Sequence, residues 1–599
     1  MRKQTKVVAV ASAAALLAIG ASMTSFAATG WVEEDGTWYF YDNDGNRVED
    51  TWKKSGDNWY WLDAEEGGAM AIDKLVEDDD DTYYVDSNGV MVRNTWVKVV
   101  NEDQDEDDDP AEYHYYYMQS NGKAYKAPDN SSTTRFRTID GKRYAFDDDG
   151  KMLYGWVKDG ERQSDDDGWE DAEYYLGNWD DGAMKTGWQK VYVYDNDEDD
   201  DLEYWFNFKS NGKKRTAASG NDLKEEKING RKYGFDDRGV MAYEWTLATQ
   251  ASVASTANWR YFNDIEDGAR VTKGWFKVVA PHEDNDNVFK SNYGSSTFAV
   301  TDADDETERW YYSDGDGKVV SGQIKKIKGK YYGFRPEGDG NGKGGAMLSG
   351  LVYMVVDQTT GEIVHVIDDG VDSDELDDLI DWDASSEIVQ KANNAPSNLN
   401  YVASLYYFGN DEDSDGAMKS GATTVTVDGN TYNFMFNKTG GVGTRGFGLT
   451  GVDDNKYIYK LGCRIKAGSD DKYQVVKVTA GSNGSVDLHA NGVGITKIKT
   501  SVLRNDSNIK NIINDDDETV TYLDISAKTD GKYYLVNTSG NIQKSKVAAK
   551  DGDDWFFYVK DRAVKLYTNN KNLDKKSTTT VTEKWDTSGA YVSNLNTGN

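Results

Sequence analysis

Along most of this chain, short runs of aromatic residues alternate with turns rich in glycine and aspartate. Trp38-Tyr39-Phe40-Tyr41 runs into Asp42-Asn43-Asp44-Gly45, and Trp59-Tyr60-Trp61 is followed by Gly67-Gly68-Ala69-Met70. Alternate side chains of a strand face opposite sides, and glycine supplies the positive φ that tight turns require. Each unit reads as a β-hairpin: an aromatic-rich strand, a turn and a return strand. A second pattern breaks this one only locally. Leu376, Leu379 and Ile380 fall at helical spacing behind Ser373 and a run of acids, which predicts one short amphipathic helix with Ser373 as its cap.

The units recur at two levels. Gly30-Trp31 and Thr51-Trp52 open successive units, and a longer period is laid over them. Ile139-Asp140-Gly141-Lys142-Arg143-Tyr144-Ala145-Phe146 returns as Ile228-Asn229-Gly230-Arg231-Lys232-Tyr233-Gly234-Phe235. It returns again from Ile327 through Gly329 to Phe334, and more weakly from Val427 through Gly429 to Phe434. Two other hairpin types sit between copies, so three hairpins make one super-repeat. A lone hairpin buries too little surface to stand by itself. Stacked hairpins cover one another, and the expected fold is all-β: an elongated β-solenoid held by nearest-neighbour contacts.

Composition narrows what such a fold can do. The 599 residues include 59 Gly, 39 Tyr and 18 Trp but only 5 Pro and one Cys, at a net charge of −37. Aromatics carry much of the apolar content, and the single Cys463 excludes an internal disulfide framework. So acidic a surface repels phosphate backbones, which excludes nucleic-acid binding. Acidic runs at Glu77 to Asp81, Glu102 to Asp109, Asp165 to Asp167 and Asp195 to Asp201 read as expanded hairpin turns. The alternative for them is Ca²⁺ held by clustered carboxylates, as in Asp195-Asn196-Asp197-Glu198-Asp199, although none has full EF-hand spacing. The start of the chain reads as an export signal over 1–27. Arg2, Lys3 and Lys6 precede an apolar stretch that ends at Ser25-Phe26-Ala27. No membrane span is expected after cleavage.

Catalysis finds no foothold in the pattern. His114, His282, His365 and His489 form no pair at metal-ligand spacing, and there is no Gly-x-Ser-x-Gly elbow or phosphate loop. With 105 acidic residues, any pair of carboxylates is uninformative.

The Gly-Trp pair, the aromatic triplet and the Gly-x-Met turn resemble the choline-binding, or cell-wall-binding, repeats of Gram-positive bacteria. Gly30 to Trp52 and Tyr174 to Trp188 are the most faithful stretches, and the likeness covers 29–350 strongly and 404–466 weakly. Related repeats occur in glucan-binding domains and in clostridial toxins. The resemblance implies aromatic cages between hairpins that take choline or a sugar ring. A cation suits ring faces, and no cofactor is implied beyond such a ligand. Carried over by motif, the binding residues are Trp31, Trp52, Trp156, Trp188 and Trp275 from the Gly-Trp position. Trp38, Trp59, Tyr174 and Trp310 come from the aromatic triplet. Gly322-Gln323, Gly350-Leu351 and Gly421-Ala422 lack the tryptophan, so incomplete cages are expected there.

The organisation expected is a signal over 1–27, hairpin repeats over 28–351, and an insertion with a short helix over 352–403. Degenerate repeats over 404–466 and a C-terminal β region over 467–599 with decayed units follow. The function expected is that of a secreted, non-catalytic protein attached non-covalently to the cell wall. Its partner would be teichoic acid or wall polysaccharide. Two alternatives stand beside it: a cell-wall hydrolase with its catalytic part in 352–599, and a host-directed adhesin or structural surface protein whose repeats bind nothing.

Overall fold

Each repeat hairpin is shaped by where positive φ falls. Asp35 and Gly36 have φ of 51° and 85° and close Gly30–Glu34 onto Thr37–Tyr41. The same two-residue turn recurs at Asp140-Gly141, Asn229-Gly230, Lys328-Gly329 and Asp428-Gly429, all with both φ positive. Turns of this kind match the twist of paired strands. The aromatic run is therefore the second strand of its hairpin, not the first as the sequence suggested. The aspartate- and glycine-rich turn after it only folds the chain back to a single bridge, such as Tyr41 to Arg47. In that turn Asp42 accepts from the Asp44 and Asn46 N–H groups at 2.9 and 2.8 Å, and Asp86 accepts likewise from Asn88 and Val90. These calcium-like aspartates are engaged by their own backbone.

The computed structural model describes residues 29–571 except 106–108, 129–131, 197–198, 219–222, 249–255, 281–306, 338–343 and 514–518. The expected signal, His282 and two residues of the Asp195 to Asp199 run lie outside the described residues. Among those described, the chain is mostly strand, arranged as many small antiparallel sheets. It divides into two compact units, one of residues up to 243 with 263–269, the other of 244–262 with 270 onward. The acidic runs lie only partly in hairpin connections: residues 102–105 and 109 fall between Thr95–Val100 and Tyr113–Met118, whereas Glu77, Asp78, Asp81, Asp195, Asp200 and Asp201 belong to the paired strands themselves. Among the described residues no group of three or more His, Cys, Asp or Glu side chains converges to hold a metal ion.

The second unit begins with further hairpins and then changes character. Leu351–Asp357 pairs with both Ile363–Asp368 and Tyr401–Tyr407, so 352–403 is a three-stranded sheet carrying helices rather than a bare insertion. The first helix, Ser373–Asp381, is capped by Asp372 and not by Ser373. Asp372 accepts from the Glu375 N–H while Glu375 reaches back to the Asp372 N–H, a reciprocal capping box. A second helix, Glu387–Asn394, follows with Ser386 as its cap. Leu376, Leu379, Ile388 and Val389 are buried against Phe434, Phe436 and Val476, and aliphatic side chains here take over the role aromatics play in the repeats. Beyond 467, two further antiparallel sheets run to Thr568.

Candidate functional site: aromatic joints between hairpins

Register decides which aromatic does what. The tryptophan that opens a hairpin pairs across it with one aromatic, as Trp31 with Phe40, Trp52 with Trp61 and Trp275 with Tyr312. Its other contact is made with the next hairpin. The ring edge meets the aromatic that pairs with the residue after the equivalent tryptophan position. Trp31 meets Tyr60 at 5.3 Å, Trp52 meets Tyr83 at 5.0 Å, and Trp156 meets Phe206 at 5.0 Å. Trp245 meets Tyr311 at 5.1 Å. Phe136 stands in the tryptophan's place and meets Tyr174 at 5.0 Å. Edge-to-face pairs of this kind each contribute about 0.5–1.5 kcal/mol beyond area burial. Ile324, not Gln323, holds the tryptophan register in the Gln323–Ile327 hairpin, and it is buried.

Two further contacts complete each joint. The residue two places after the turn glycine donates its N–H to a carbonyl of the preceding hairpin: Met91 to Trp59 at 2.8 Å, Met152 to Tyr115 at 2.7 Å, Met241 to Trp205 at 2.9 Å, Met347 to Trp310 at 2.8 Å. Its side chain then lies on the glycine of the next turn. Met70 covers Gly89, Met91 covers Gly122, Met184 covers Gly212 and Met347 covers Gly416, leaving no room for a Cβ. The Gly-x-Met signature is thus a ladder: glycine is needed as the floor under the previous methionine, and at Gly89, Gly122 and Gly212 for its positive φ as well.

Three joints share one geometry at the spacing of the super-repeat. Trp96 lies 4.8 Å from Tyr144 and is stacked 5.8 Å from Phe146. Trp188 lies 4.8 Å from Tyr233 and 5.9 Å from Phe235. Trp275 lies 4.8 Å from Tyr332 and 5.6 Å from Phe334. A third aromatic stands at right angles in two of them, Trp205 at 6.4 Å from Trp188 and Trp310 at 6.3 Å from Trp275, and Tyr115 holds that register beside Trp96. All three opening tryptophans are half-buried, as Trp205 and Trp310 are.

The rims of two of these joints carry ordered charge. Trp310 Nε1 donates to Asp413 at 2.8 Å, and Lys277 binds the same carboxylate at 2.8 Å with Glu412 at 3.7 Å. Lys190 bridges Glu203 at 3.0 Å and Glu266 at 2.8 Å. The lysine contact holds the Glu266 and Asp413 carboxyls below the usual range, with the Trp205 and Trp310 indoles adding to it. Each rim thus carries one more acid than base.

The residues picked from sequence fall into distinct places. Trp31, Trp52, Trp156, Trp188 and Trp275 all sit in joints. Trp38, Trp59 and Trp310 share one register, opposite Glu33, Lys54 and Lys277. Tyr174 lies one register on, buried with Val157 and Leu176 as the face that receives Phe136. Trp96 and Trp205 were not singled out. Trp96 follows threonine, as Trp52 does, and that shared Thr-Trp pair was the available signal. Trp245 is buried among Tyr261, Phe276 and Tyr311. Elsewhere, Cys463 is buried and its thiol is pushed up to about 12 by burial. His114 lies 3.5 Å from Asp109, with its pKa lowered by burial.

Among solved structures, the modular autolysin LytC of Streptococcus pneumoniae, in complex with a synthetic peptidoglycan ligand, is 16% identical at a TM-score of 0.28. The match covers 51% of this chain and 51% of that one, so this chain spans about half of LytC's length. The choline-binding domain of CbpL from the same organism is 22% identical over 41% of this chain and all of its own, with a TM-score of 0.24. Choline binding protein F, also pneumococcal, is 20% identical over 56% of this chain and 97% of its own, at 0.28. These scores lie below those of chains that share one overall arrangement. No curated protein sequence matches the chain. No helix among the described residues is long and apolar enough to cross a membrane. Residues 29–46, 50–65, 73–91 and 134–152 match the family model of putative cell wall binding repeats, so this chain carries repeats of the choline-binding type over those stretches.

Proposed function

We propose that the chain is exported and adheres, without catalysis, to choline-bearing teichoic acid or wall glycan through its aromatic joints. The hairpins act as a β-solenoid in the sense that each covers its neighbour, and the Trp96, Trp188 and Trp275 joints are the principal sites. One observation carries this reading: the same tryptophan, tyrosine and phenylalanine arrangement recurs at the super-repeat spacing with each tryptophan left partly exposed. Packing alone does not demand a partly exposed tryptophan at each of these positions. Trp205 and Trp310 form the third wall, and Trp31, Trp38, Trp52 and Trp59 form smaller sites of the same plan. Tyr174 packs. A quaternary ammonium gains about 0.5–2 kcal/mol from each good ring face, and the excess carboxylate on the Trp188 and Trp275 rims favours a cation over a neutral sugar. Sites this weak become useful on a polymer, where the second contact is intramolecular.

Retention of the chain on choline-derivatised resin at high salt, with elution by free choline, tests the proposal. High salt removes the attraction of an acidic chain for any cationic matrix. Failure to bind, with retention on purified wall polysaccharide instead, transfers the same joints to glycans. Release of muropeptides from purified peptidoglycan by the full chain would overturn the non-catalytic part.

A further inference from the structure

Lys214 occupies a ladder position that methionine holds elsewhere. Its N–H donates to the Glu173 carbonyl at 2.7 Å, and its Cγ and Cδ lie over Gly239 as methionine side chains lie over their glycines. A lysine stem can do this packing while its charged end normally turns to water. Here the end turns inward. Lys214 is 6% exposed, and its ammonium donates to the Trp169 carbonyl at 2.6 Å and the Glu170 carbonyl at 2.8 Å. The same nitrogen stands 5.3 Å over the Trp156 ring and 5.9 Å over the Phe206 ring, the two aromatics that make this joint. Asp236, Asp171 and Glu170 attract it and Arg238 opposes it, so the surroundings hold more negative than positive charge.

We propose that the Trp156–Phe206 joint is a primary-ammonium site that the chain fills with its own Lys214, so that this joint takes no external ligand. The chemistry of the walls sets the class. Two carbonyls aimed at the nitrogen require N–H donors, which a primary ammonium has and a quaternary ammonium lacks. The Trp188 and Trp275 joints offer ring faces and a carboxylate rim instead. A site of one protein thus divides ammonium ligands by substitution: primary inside, in cis, and quaternary outside.

The inference rests on the adhesive reading only for the identity of the outside ligand, and the experiment keeps the two apart. In Lys214→Ala the emptied site should accept ethylammonium, and thermal unfolding should move back toward wild type. Tetramethylammonium at the same ionic strength should give no such recovery, and Trp156→Ala combined with Lys214→Ala should show none with either. Equal recovery by both cations, or none, overturns the proposal. The native chain supplies a second readout that needs no mutant to fold. Amine labelling followed by mass spectrometry should modify Lys214 at least about tenfold more slowly than its exposed neighbour Lys213, because reaction requires local opening. Equal rates overturn it. Lys214→Ala should also leave the amount of choline bound by the chain unchanged, and a rise would make the emptied joint a quaternary-ammonium site and overturn the proposal. A chain that fails on choline resin yet shows protected Lys214 and selective rescue would defeat the adhesive reading alone.

Discussion

Gly212 and Gly230 have the same backbone conformation, φ +88°, but only one of them lies under a ladder side chain. An ideal Cβ at Gly212 would stand 2.7 Å from Met184 Cγ, with Sδ closer still, whereas at Gly230 nothing lies within 4 Å. Alanine at either site meets the left-handed penalty of about 1–2 kcal/mol. Alanine at Gly212 must in addition displace Met184, and overpacking of this kind costs about 1–3 kcal/mol. The lower end of that range applies if the thioether can swing away, whereas moving Cγ requires a change of the χ1 rotamer. The expectation is that Gly212→Ala destabilises by about 1–3 kcal/mol more than Gly230→Ala. Both positions lie in the same compact unit, so urea unfolding followed by tryptophan fluorescence reads them in one transition. Met184→Ala should remove the difference when combined with Gly212→Ala, giving a coupling of the same size in a double-mutant cycle. Equal effects of the two glycine substitutions, within about 0.5 kcal/mol, would mean that the Gly-x-Met signature is only a turn signal. The ladder would then not hold the hairpins together.

Trp188→Ala removes edge or stacking contacts with Trp205, Tyr233 and Phe235. It should cost about 2–4 kcal/mol in unfolding and lower the amount of choline bound, whereas Trp188→Phe should recover stability more than binding. Burial lowers the Lys214 pKa from the ordinary lysine value to about 7. The unfolded chain therefore binds more protons than the folded chain between those values, and stability should rise with pH from about 7 toward 10. Subtracting the same curve for Lys214→Met should leave that rise, and identical slopes would refute it. Asp372→Ala should cost about 0.5–2 kcal/mol while Ser373→Ala costs almost nothing. The reverse order in thermal unfolding would restore Ser373 as the cap.

Much of this was legible because the repeats are written in residues with two jobs each. Glycine marks a turn and a ladder floor, and tryptophan marks a strand start and a joint, so hairpins and super-repeat could be found from spacing alone. What escaped was register. The aromatic run and the glycine turn after it look like a strand entering its hairpin loop. The actual loop is the less conspicuous Asp35-Gly36 or Asn229-Gly230 before the run. A register error of one residue also placed Tyr174 beside Trp38 and Trp310, when its pairing with Val157 puts it on the packing face. Lys214 reads as a surface lysine, because nothing in Gly212-Lys213-Lys214 says that the second amine is roofed by Trp156. The second helix carries only Ile388 and Val389 as buried anchors, too few for a periodic signal. The strand Leu351–Asp357 went unread because its partner Tyr401–Tyr407 lies beyond both helices.

A joint between hairpins can spend its aromatic faces on the neighbouring hairpin or leave them for a ligand, and small differences decide between the two. Trp245 shows one limit: its indole donates to the Val279 carbonyl at 2.8 Å, rings crowd it on several sides, and no face is left. Trp156 shows a second, with the space over the ring taken by an internal ammonium. Trp275 shows a third. Its wall residue Trp310 is tied outward to Asp413, which Lys277 anchors in turn, so the wall is held upright 6.3 Å from Trp275 instead of closing on it. Holding a wall in place before the ligand arrives removes an ordering cost from binding. A chain whose joints differ in this way can be rigid at some positions and receptive at others without changing its fold. On the adhesive reading proposed above, the polar residues around each indole, more than the indoles themselves, would decide where along the array a polymer is gripped.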